Sequence, residues 1–164
     1  MSAIAIQIRD AVVAALNAAV AADGAIYPED DAPFRFGFTA RGAYFNDVNL
    51  AEAFEGLVVS VVCTGVKSST LDRDTDGDAV TIEIGVFKRV DREAAQGDGF
   101  AEVGTLVEFV ENVRDWLRLN PIDGAELEPG AKIEIDPIYD FEKLSKDSVF
   151  ASVVRVPILA QFET

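Results

Sequence analysis

The residues whose types and spacing could do chemistry are acids. Asp72-Arg73-Asp74-Thr75-Asp76-Gly77, followed by Glu83, fits the pattern D-x-D-x-D-G-x5-E at every required position. Three carboxylates at alternate positions can converge on a hard cation, the glycine permits a sharp turn, and a distant glutamate can close the oxygen shell. A calcium loop of the EF-hand type needs a helix on each side. Here Val80, Ile82, Ile84 and Val86 alternate with the period of a strand, and Val66-Lys67-Ser68-Ser69-Thr70 is a poor helix former. The segment therefore reads as an acidic hairpin tip. The alternative is a calcium-binding or small-ligand module using Asp72, Asp74, Asp76 and Glu83.

Other chemistry finds little to work with. The chain has no histidine, which removes the commonest general base and the Ser-His and Cys-His nucleophile pairs. Its one cysteine, Cys63, ends the apolar run Leu57 to Cys63, where it reads as a small buried hydrophobe, and no disulfide can form within the chain. Acid pairs such as Asp30-Asp31 and Glu126-Glu128 are expected by chance among 29 acids, and none sits in an obvious apolar pocket. Gly97-Asp98-Gly99 does not complete a dinucleotide fingerprint, and no P-loop or nucleophile elbow occurs. The expectation is no catalytic residue, no cofactor and no enzyme. A net charge of −15 repels nucleic-acid phosphates, so a gripping basic groove is disfavoured, although DNA can slip past such a wall without sticking. No segment reaches the ~18 apolar residues of a membrane helix. The uncharged run Ala11 to Ala22 lacks a basic region before it and reads as a helix of the mature protein.

Around these residues the periodicity predicts an α+β fold. Ile4, Ile8, Val12, Ala15, Leu16, Ala19 and Val20 recur at helical spacing, giving a first helix from about Ser2, a plausible N-cap, to Ala22. Ile6 and Val13 lie off that stripe, so this helix carries surplus apolar surface that suits a subunit interface. Residues 24–36 read as loop, Phe34 to Phe45 as a possible strand, and Asn49 to Glu55 as a turn or short helix. A strand follows from Leu57 to Cys63. A polar connection, Thr64 to Asp78, leads to the clearest strand, Ala79 to Val90. Asp98 is placed to cap a second helix, Gly99 to about Leu119. Its apolar face is Phe100, Val103, Leu106, Val107, Val110, Val113 and Leu117 with Trp116 beside it, and its polar face carries Glu102, Glu108, Glu111, Arg114, Asp115 and Arg118. A short strand, Lys132 to Asp136, is limited to an edge or an end by Pro137. Ile138 to Lys146 is irregular or a short helix. The last strand is Ser148 to Phe162, with an edge or bulge at Pro157. The sum is one domain over 1–164: a mostly antiparallel sheet of about four to five strands with two helices on one face.

The framework resembles the phage neck and tail-completion proteins of tail-terminator type. The likeness runs from the helix Ile4 to Val20 through Phe38-Thr39-Ala40-Arg41-Gly42-Ala43-Tyr44-Phe45, Leu57 to Val62 and Val80 to Val90. It continues through Leu106-Val107-Glu108-Phe109-Val110, Asp136-Pro137-Ile138-Tyr139 and Val149 to Val154. It is a pattern of framework residues, not a catalytic motif. The acidic loop at 72–78 and the extended segment 121–130 depart from it. The resemblance implies a virion ring, commonly a hexamer, at the head-proximal end of a tail, made in the host cytoplasm. Its partners would be other copies of itself, the tail tube protein and a neck or head-completion protein. DNA would pass through its lumen without specific binding, and no membrane would be involved. The candidate contact residues are Ile4, Ile6, Ile8 and Val13 on the first helix, with Lys67 and Arg73 in the 64–78 connection.

Overall fold

The computed structural model describes residues 3–21, 26, 38–44, 56–70, 75–91, 101–130 and 132–163. In chain order these form helix α1 (Ile4–Ala21), strands β1 (Ala40–Ala43), β2 (Val58–Thr70) and β3 (Thr75–Arg89), and helix α2 (Ala101–Leu119). Strand β4 (Glu134–Ile135), helix α3 (Phe141–Asp147) and strand β5 (Val149–Glu163) follow. The expected cap residues Ser2 and Asp98, the Phe34 and Phe36 positions and the segment Asn49 to Glu55 lie outside the described residues.

One five-stranded sheet has the order β1-β2-β3-β5-β4. β1 runs parallel to β2, and every other neighbouring pair is antiparallel. This is the α+β, mostly antiparallel architecture that the hydrophobic periods predict.

Residues opposite each other in neighbouring strands point to the same face. Val59 and Val61 stand opposite Val86 and Ile84, and Ile82 and Ile84 stand opposite Val156 and Val154. These side chains join Ile8, Val12, Leu16 and Ala19 of α1 and Leu106, Phe109, Val110, Val113 and Leu117 of α2 in one buried cluster. Both long helices therefore cover the same face of the sheet. Each fully buried aliphatic side chain contributes roughly 1.5–3 kcal/mol to holding them there. Phe38 meets Phe109 edge to face at 5.4 Å, tying the approach to β1 to the middle of α2. On the opposite face Val62, Phe87, Val149, Ala151 and Leu159 are also buried, on either side of the polar pair Glu83 and Arg155.

Two expectations need correction, and one is met only locally. The stretch Thr64 to Asp78 is not a long polar loop. β2 continues to Thr70 and β3 begins at Thr75, and the two pair from Gly65–Thr81 to Thr70–Asp76 beyond an irregularity at Thr64. Thr64 to Ser68 are exposed, and polar side chains there are compatible with a strand because backbone pairing with β3 does not require apolar ones. Although β5 as a whole lies inside the sheet between β3 and β4, Pro157 takes an edge position locally, as expected. Its carbonyl accepts from the Glu128 N–H at 3.0 Å, and the Leu159 N–H donates to the Glu126 carbonyl at 2.8 Å, so this side of β5 faces residues 126–128. The donor that proline lacks is on that outer side, past the end of β4, and pairing with β3 is untouched. Glu102 is not on a solvated face. At 9% exposure it turns inward, accepting from Lys88 Nζ at 3.0 Å and from the Asp91 N–H at 2.7 Å.

Phe141–Asp147, left open as irregular or helical in the sequence, is a helix with defined ends. The Asp140 side chain accepts from the Lys143 N–H, and Ser148 closes the helix in the left-handed region at φ 54°.

Candidate functional site

The acidic pattern is pulled apart by the fold. Asp76 and Glu83 both lie on β3, seven positions apart on one continuous strand. A strand rises about 3.3 Å per residue, so their backbones are roughly 23 Å apart. Oxygens that share a calcium ion sit within about 2.3–2.6 Å of it. Glu83 therefore does not close a shell begun at Asp76. It is committed instead to Arg155 on β5, whose Nη2 lies 3.2 Å from Glu83 Oε1 and whose Nη1 lies 3.5 Å from Glu134 Oε2 on β4. This charge ladder crosses three strands. Asp72, Asp74 and Arg73 lie outside the described residues. Among the described residues no group of three or more His, Cys, Asp or Glu is placed to hold a metal ion.

The contact candidates on α1 divide. Ile8 is 1% exposed and belongs to the core, so it has no surface to offer a neighbour. The reason is its place on the same helical stripe as Val12 and Leu16. Ile4 is exposed, while Ile6 and Val13 are half-buried, Val13 against the core cluster. Lys67 is exposed on β2, in the run Thr64 to Ser68 that is exposed throughout. The structure thus brings Val66 and Lys67 together on a strand edge and leaves Ile4 on a separate helix.

Sequence reasoning passed over the junction of α1 with β1. Asn17 donates through Nδ2 to the Ala40 carbonyl at 3.0 Å and accepts from the Ala40 N–H at 2.8 Å, so its amide serves Ala40 as a substitute strand partner. Arg9, with 11% of its side chain exposed, lies against Gly42 and over the Tyr44 ring at 5.3 Å. Its hydrogen bond to Asp10 is the main cause raising the Arg9 pKa above the ordinary value, so the guanidinium stays charged throughout. The available signal was weak: Asn17 and Arg9 are two of four polar residues, with Gln7 and Asp10, in a largely apolar helix.

A cleft of about 140 Å³ opens where α2 ends, lined by Leu117, Pro121, Ile122, Ala125, Leu127 and Ile158, with Arg118 and Glu126 among its walls. That is smaller than the ~300–1,000 Å³ of typical small-molecule sites. Further apolar surface lies at Ile138 and Phe141, where the Phe141 ring leans edge-on against Tyr139 at 4.9 Å. Among the described residues no helix is long and apolar enough to cross a membrane. A scan against protein-family models finds no match to the chain, and a search of curated proteins finds none either.

Proposed function

We propose that this chain is a structural subunit of a virion, forming a ring at the head-proximal end of a phage tail, capping the tail tube and joining it to the neck. The observation that carries this reading is the sheet with both long helices on one face and a strand, β2, whose outer half pairs with no described residue on its far side from β3. The α+β architecture is the one that the hydrophobic periods predict, and its exposed features suit contact more than a pocket for chemistry. The net charge of −15 supports the same reading, because a wall of that sign lets DNA pass without gripping it. In this role the chain supplies shape and contact area and breaks no bonds. Its partners are further copies of itself, the tube protein and a neck protein.

The test is incorporation. Purified chain is incubated with tail tubes, followed by light scattering after size exclusion and by negative-stain imaging. A ring at one end of each tube is the expected result. A chain that stays monomeric with tubes present and is missing from purified particles overturns the proposal. Monomer status of the free chain alone does not decide it, since a ring can assemble only upon meeting the tube.

A further inference from the structure

β1 covers β2 only from Val59 to Val62. From Cys63 to Thr70, β2 keeps β3 on its inner side, and no described residue pairs with its outer edge. Thr64 to Ser68 are all exposed, and Val66, at 48%, is a large apolar side chain left in water. A row of open backbone N–H and C=O groups accepts one kind of occupant, an extended strand.

We propose that the occupant is the same strip of a second copy, paired antiparallel about a two-fold axis at Val66. Length favours this. Pairing about Val66 sets Cys63 opposite the second copy's Ser69, so it uses the strip from Cys63 to Ser69 of each copy and stops where β1 begins. Side-chain order favours it too. Val66 meets the second copy's Val66, covering the apolar surface each leaves exposed. Lys67 stands opposite the second copy's Gly65, so the two cations are not directly opposed. Charge points the same way. Lys67 is the only charged residue between Cys63 and Thr70 in a chain of net charge −15, so this edge brings two copies together without setting carboxylate against carboxylate. A two-fold contact also satisfies both edges at once, which ends sheet growth instead of propagating it. The pairing concerns the free chain and does not depend on the ring reading.

The experiment is sedimentation of the full chain over a range of concentration and salt, alongside two variants. The wild type is expected to reach twice the chain mass of 17.6 kDa, more readily at high salt, which screens the repulsion between two acidic molecules. Val66→Lys, at an exposed position, is expected to keep its thermal melt and to return to the single-chain mass. In a Cys63→Ser background, Val66→Cys is expected to cross-link to itself on mild oxidation at least ~10-fold faster than Lys146→Cys, whose site is on exposed α3. A monomer under all conditions, a dimer indifferent to Val66→Lys, or equal cross-linking of both cysteine variants overturns the pairing. A tube-end ring whose formation ignores Val66, with no Val66-dependent dimer, overturns it and upholds the ring. A Val66-dependent dimer from a chain absent from particles does the reverse.

Discussion

Asn17 sits on the half-buried flank of α1, where a polar side chain is tolerated because both halves of its amide are used. Ala40 is buried, so removing that amide leaves its N–H and carbonyl without this partner. Asn17→Ala is expected to cost ~1–3 kcal/mol, read as a lower urea midpoint at unchanged slope. Ser148 presents the opposite case. It holds φ at 54°, a conformation glycine adopts without a steric penalty. Ser148→Gly is expected to raise stability by up to ~1 kcal/mol, visible as a higher melting temperature. Neither effect follows from residue type, since most asparagines and serines in a chain of this length make no such contact.

At the scale of elements, the β2–β3 ladder decides what the acidic motif can do. A spacing that would wrap a cation in a loop is stretched along a strand, and Glu83 becomes one end of a ladder that runs from β3 through Arg155 on β5 to Glu134 on β4. Because Arg155 is more than a third exposed, this pairing is worth little. Glu83→Gln is expected to lower stability by less than ~1 kcal/mol, and millimolar calcium is expected to shift the melts of wild type and variant equally. A calcium stabilisation lost only in Glu83→Gln would contradict the strand geometry. The helices were legible because burial imposes a period: Ile8, Val12 and Leu16 on α1, and Leu106, Val110, Val113 and Leu117 on α2. Phe109 and Glu102 were harder to place. An amphipathic stripe has blurred borders, and which border residue turns inward depends on what faces it, here Phe38 and Lys88.

For the whole molecule, charge sets the behaviour in solution. With no histidine in the chain, few groups of ordinary pKa titrate between pH 6 and 7.5. The melting temperature is therefore expected to stay within ~2 °C across that window. Toward the isoelectric point near 4.2 the repulsion between copies disappears, and light scattering is expected to show association that added salt no longer strengthens.

The sequence by itself determined the fold class, both long helices, the pairing of β2 with β3, and the two-sided pattern of β5, because alternation and helical period follow directly from which side chains must leave water. It also determined the absence of histidine and of any cysteine pair, since that is a matter of composition. Only the tertiary structure decided that residues 64–78 are mostly strand, that Glu83 answers to Arg155, that Ile8 is core and not surface, and that no described residue pairs with the outer edge at Val66. Those outcomes depend on backbone hydrogen bonds, which any residue except proline can make in full, and on partners distant in sequence. Side-chain periodicity carries no record of either.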